Sequence, residues 1–92
     1  MKKYFIHFDN EDDDISSLVS FLKSKGTVHD VLGTLYCLVT DSYDSTLELR
    51  DAILEVSEDI RVFVMQIPEG INSAWHLSIE NSNWLKSVLN GK

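Results

Sequence analysis

Few side chains in this sequence have chemical potential, and they are scattered. His7 and Asp9 stand two residues apart in the run Tyr4-Phe5-Ile6-His7-Phe8-Asp9, so in an extended strand they share a face and could touch one ligand. The plainer role for Asp9 is to end that strand by accepting backbone hydrogen bonds in the following turn. The acids continue through Asn10-Glu11-Asp12-Asp13-Asp14, which raises calcium. An EF-hand loop needs glycine at its sixth position and a bidentate glutamate at its twelfth, but counting from Asp9 those places hold Asp14 and Ser20. The motif fails, and the run is read as solvated acids at a helix start. His29 and His76 have no second ligand nearby in sequence. One cysteine and three histidines do not make a structural zinc site, which takes about four nitrogen or sulfur ligands. Cys37 sits between apolar neighbours and reads as an inert core thiol. No Gly-x-Ser-x-Gly elbow and no glycine-rich phosphate loop is present.

The elements that position these residues follow from periodicity. Lys3 to Asp9 is aromatic and β-branched, the composition of a strand. Ile15, Leu18, Val19 and Leu22 form an i, i+3, i+4, i+7 stripe that predicts a helix over residues 13–25. Acids precede it, Lys23 and Lys25 close it, and Gly26 is placed for a left-handed cap. Thr27–Leu32 and Leu35–Thr40 predict a hairpin turning near Gly33-Thr34. Ser45-Thr46-Leu47-Glu48 is a capping box, with Leu49, Ala52, Ile53 and Val56 behind it, so residues 46–57 predict a second helix. Ile60–Ile67 predicts a fourth strand, ended by Pro68-Glu69-Gly70. The order β-α-β-β-α-β predicts an α+β, ferredoxin-like core over residues 1–70, with both helices on one face of an antiparallel sheet. Residues 71–92 form a C-terminal extension: a link carrying Trp75, then a helix capped by Ser78 in which Trp84, Leu85, Val88 and Leu89 share a face.

Ninety-two residues make one small domain, and 43% hydrophobic with 25% charged residues is ordinary globular composition. Eight Lys and Arg against fifteen Asp and Glu leave a formal charge of −7. That balance argues against broad phosphate binding, which needs clustered cations; here the only close pairs are Lys2/Lys3 and Lys23/Lys25. A single cysteine excludes an internal disulfide. Met1-Lys2-Lys3 leads into acids rather than an apolar stretch, and no run approaches the ~20 apolar residues of a membrane span, so the expected location is cytoplasmic.

A sheet with helices on one side alone should alternate apolar and polar residues. These strands do not. Tyr4, Ile6 and Phe8 oppose an apolar Phe5; Val62 and Val64 oppose Phe63, Met65 and Ile67; Leu35, Cys37 and Val39 oppose Tyr36 and Leu38. Two short helices cannot cover both faces. Either the tail helix or a second subunit covers the other, and the expectation is a homodimer through the open sheet face, with Phe5, Phe63, Met65, Trp75 and Trp84 at the contact.

Taken together, the strand Tyr4 to Asp9, the helix and glycine before a hairpin, Leu49-Arg50-Asp51, the Ile60–Ile67 strand and the tail Ala74-Trp75-x-Leu77-Ser78…Trp84-Leu85-Lys86 resemble the SinR-family, CRISPR adaptation subunit-like small proteins of bacteria and phages. The resemblance covers nearly the whole chain, and its most specific part is the tail. It implies a ferredoxin-like homodimer connected with nucleic acid or its enzymes. It also implies that Asp9 matches the strand-end aspartate proposed to bind Mg²⁺ for phosphodiester cleavage.

Two functions follow. The first is an adaptation-subunit-like dimer, non-catalytic or weakly catalytic, with no cofactor unless Asp9 binds Mg²⁺ and with weak or no direct nucleic acid binding. The alternative is an acidic interaction module, such as a phage-borne inhibitor or DNA mimic, whose carboxylates meet a basic protein partner.

Overall fold

The computed structural model describes residues 1–9, 15–33, 35–68 and 76–89. Their elements run β1 (Lys2–Asp9), α1 (Ser16–Lys25), β2 (Thr27–Leu32), β3 (Leu35–Thr40), α2 (Thr46–Val56), β4 (Arg61–Gln66) and α3 (Ile79–Leu89). The four strands form one antiparallel sheet in the order β2-β3-β1-β4, so β1 and β3 are central and β2 and β4 are edges. The architecture is α+β. No described helix is long and apolar enough to cross a membrane.

Local chemistry accounts for the element ends. Ser45 Oγ accepts the Glu48 N–H at 3.2 Å, while the Glu48 carboxylate reaches back to the Asp44 N–H at 2.7 Å, so two donors at the start of α2 are satisfied. Ser78 Oγ caps α3 in the same way, accepting the Asn81 N–H at 3.2 Å. α1 begins at Ser16, with Ile15 as its N-cap rather than within the helix as expected; positions 13 and 14 of the expected helix lie outside the described residues. β4 is one residue shorter at each end than expected, with Ile60 and Ile67 buried just beyond it.

Gly26 corrects an expectation. Its φ of 173° is extended backbone, not a left-handed cap. Glycine is needed there because a Cβ would lie 2.2 Å from the Val39 carbonyl oxygen, where the end of α1 passes close to β3. The α1 terminus is closed by hydroxyls instead: the Lys25 carbonyl accepts from Thr40 Oγ1 at 2.6 Å and from Ser42 Oγ at 3.3 Å. Gly33 is the one described residue with a left-handed φ, +60°, in the hairpin between β2 and β3.

The sheet is apolar on both faces, and each face has its own cluster. On one side Tyr4, Ile6 and Phe8 of β1 and Tyr36 and Leu38 of β3 pack with Leu18 and Leu22 of α1 and Leu49 and Ile53 of α2. On the other, Val31, Cys37 and Ile67 pack with Leu85 of α3, joined by half-buried Phe5, Leu35, Leu77, Trp84 and Val88. The tail helix therefore covers part of the second face. Trp84 and Phe5, both expected at a subunit contact, are half-buried against this cluster within the chain. Phe63 and Met65 of β4 remain 64% and 40% exposed on that same face. Trp75 lies outside the described residues.

The two glycines should respond differently to substitution. Gly26→Ala forces backbone against backbone and should cost about 1–3 kcal/mol in urea unfolding, the range for overpacking. Gly33→Ala meets open space and should cost only the left-handed strain, about 1 kcal/mol, largely relieved in Gly33→Asn. Equal costs for Gly26→Ala and Gly33→Ala would contradict the close approach of α1 to β3.

Candidate functional site

Pairing of β1 with β4 sets His7 opposite Phe63 and Asp9 opposite Arg61, and directly opposed residues project from the same face. The shared face of His7 and Asp9 expected from their spacing is thus extended by two residues of β4. Asp9 Oδ2 lies 3.8 Å from Arg61 Nη1, with both side chains largely in solvent, which makes this a weak ion pair. His7, Asp9, Arg61, Val62 and Phe63 line a shallow cavity of about 210 Å³. One carboxylate, one imidazole, one guanidinium and an exposed phenyl ring form a polar margin beside the apolar strip of Phe63 and Met65. Among the described residues, no group of three or more His, Cys, Asp or Glu side chains could hold a metal ion. The acids at positions 11–14 lie outside the described residues.

A second polar group joins α3 to the sheet. The His29 and Trp84 rings stack with centroids 4.4 Å apart and 12° between planes. Asn81 Nδ2 donates to the Val31 carbonyl at 3.1 Å, which turns its Oδ1 toward His29; the imidazole Nε2–H then donates to it at 2.5 Å. One asparagine thereby ties a backbone carbonyl of β2 and a side chain of β2 to the same helix. Sequence reading left His29 without a partner because Asn81 is 52 residues away. The only available signal was the i, i+3 placement of Asn81 and Trp84 on one helical face. Next to this clasp, α1, β2 and α3 enclose an open groove of about 420 Å³, whose lining includes Lys23, Asp30 and Glu80.

Cys37 is fully buried in the second cluster, and burial pushes its thiol from 9.0 up to about 12, with nearby Lys3 opposing weakly. Burial also raises the phenols of Tyr4, Tyr36 and Tyr43, helped by neighbouring carboxylates. Thiolate is the nucleophilic form, so this cysteine is chemically quiet.

A raised folded-state value favours folding below the unfolded value and loses that contribution as pH rises toward the folded one. Stability should therefore fall from about pH 9 upward, and Cys37→Ala should flatten part of the fall. At pH 8 native protein should not react with a disulfide reagent over minutes. Leu85→Ala should lower stability by about 2–5 kcal/mol and render Cys37 more reactive, since Leu85 is the buried residue of α3 in the cluster that holds Cys37. Rapid native labelling would show that α3 does not hold its place over the sheet.

No protein-family model, no curated protein and no solved structure matches the chain.

Proposed function

We propose that this chain is a non-catalytic, ferredoxin-like homodimer of the cytoplasm that works as an acidic protein-interaction module, the alternative to an adaptation subunit-like role with nucleic acid. The exposed pair Phe63 and Met65 carries the reading. These two side chains continue, on an edge strand, the apolar face that α3 covers only in part. Left open to water, such a strip on an unpaired edge invites association. Two copies meeting there would bury it, and an interface of roughly 1,200–2,000 Å² would be ordinary for such a contact. The ferredoxin-like assignment is supported by the β-α-β-β-α-β order and by a sheet with β1 and β3 at its centre.

Electrostatics favour interaction over cleavage. Arg61 already stands against Asp9, and the chain carries −7 overall, so an anionic nucleic acid backbone meets net repulsion on approach. Mg²⁺ usually takes one or two carboxylates plus waters and substrate phosphates; Asp9 supplies one, already shared with a guanidinium. The same charge favours a basic protein as the partner, the chemistry of an inhibitor or DNA mimic.

Sedimentation equilibrium at micromolar concentration should return about twice the 10.5 kDa chain mass. Phe63→Asp with Met65→Asp should return a single chain mass with an unchanged circular dichroism spectrum; a monomeric wild type would defeat the homodimer. Nuclease assays with Mg²⁺ or Mn²⁺ on single- and double-stranded DNA and RNA should show no cleavage above that of Asp9→Ala and Asp9→Asn. Metal-dependent cleavage lost in both variants, with dimer and melting temperature intact, would overturn the non-catalytic reading in favour of a metal-dependent endonuclease.

A further inference from the structure

The sheet has a second edge, and it is built differently from β4. β2 is bonded to β3 on one side, and among the described residues no other strand pairs with it. Alternate N–H and C=O groups along an edge strand point outward, a ready template for another strand. At the Val31 end that edge is closed, because Asn81 of α3 donates to the Val31 carbonyl. From Val28 to Asp30 it lines the groove of about 420 Å³, a volume within the ordinary range for ligand sites. Helices wall this groove on both sides: Val19 and Lys23 of α1 on one, Glu80 and Asn81 of α3 on the other. Asp30 stands on the strand between them, so the groove carries two carboxylates and one ammonium within a chain of net charge −7.

We propose that the Thr27–Asp30 edge of β2 takes an extended, basic polypeptide segment of a partner, which adds to the sheet as a further strand between α1 and α3. Backbone pairing supplies the recognition of an extended chain, and alternate side chains of the segment fall toward the two helices. On the α1 side they meet Val19 and Val28, which suit an aliphatic residue, with the Asp30 carboxylate at the end of the same face; on the α3 side they meet Glu80, which suits lysine or arginine. Net negative charge speeds the encounter with such a segment and opposes an acidic one. The inference rests on the interaction-module reading only for the sign of the partner's charge. It does not depend on the dimer, because β4 lies at the opposite edge of the sheet.

The test is an amide-resolved NMR titration of the full chain with the peptide acetyl-Lys-Val-Lys-Val-Lys-amide. Three comparisons accompany it: the peptide with glutamate for lysine, the peptide N-methylated at every backbone amide, and the Phe63→Asp, Met65→Asp variant as receptor. Shifts are expected at the amides of Thr27 to Asp30. Affinity should drop roughly tenfold or more on N-methylation, which removes at least two hydrogen bonds, and the glutamate peptide should not bind. Asp30→Asn and Glu80→Gln should each weaken binding about two- to fivefold, the effect of one exposed ion pair, at unchanged melting temperature. Retained binding by the monomeric variant would separate this site from the dimer contact. Equal binding of the N-methylated peptide, equal binding of the glutamate peptide, shifts confined to β4, or no shift at millimolar peptide would each overturn the proposal.

Discussion

β1 imposes the constraint on which the rest of this fold depends. It is hydrogen-bonded along both edges, to β3 and to β4, and it carries large apolar side chains on both faces. Tyr4, Ile6 and Phe8 require one cover and Phe5 another. A strand of this kind cannot lie in a two-layer structure with one face in water. The helices α1 and α2 satisfy the first demand through Leu18, Leu22, Leu49 and Ile53, and α3 meets the second in part through Leu85. Everything distinctive about the surface follows from how far that second cover extends.

α3 extends over the β2–β3 side, and specific contacts hold it there. Apolar burial of Leu85 against Val31, Cys37 and Ile67 supplies most of the attraction, since each fully buried aliphatic side chain contributes about 1.5–3 kcal/mol. The Asn81 bridge and the stacked His29–Trp84 pair add direction rather than bulk, fixing which part of the helix faces which part of β2. The buried hydroxyl of Thr40 plays a similar part on the opposite face, joining the end of β3 to the last carbonyl of α1. In both places a short polar contact sets the register of an apolar one.

How much of this was legible in the sequence depended on the range of the interaction. Strand faces follow from a period of two, and the division of Tyr4, Ile6 and Phe8 from Phe5, and of Val62 and Val64 from Phe63, matches the structure. The Ser45 and Ser78 caps depend on residues three apart and were equally readable. At Gly26 the sequence marks the place of the glycine but not its reason: a left-handed φ is a local property, whereas contact with the Val39 carbonyl is set by how α1 returns to the sheet. The pairing of Asp9 with Arg61 and of His29 with Asn81 spans about fifty residues, and no local period encodes it. The tail helix itself was legible, but its partners on the sheet were not. A 3.6-residue stripe on α3 says that a face is buried without saying against what.

The two sheet edges differ because the cover on the second face is asymmetric. α3 sits over β2, so that edge is walled by helices on both sides and partly capped by Asn81. Among the described residues no helix walls β4 on the face that α3 covers elsewhere, and the side chains there are Phe63 and Met65 with Arg61 and Asp9 at the margin. Natural sheets blunt their edges with charge, covering segments or closure. Here one edge is an open groove between two helices, with Val19 and Val28 beside Lys23, Asp30 and Glu80, and the other carries an exposed apolar strip. The two edges of this acidic chain thus differ in cover, in charge and in the kind of contact that each presents. Asp9 and Arg61 stand at the margin of the apolar strip as a weak, solvent-exposed ion pair.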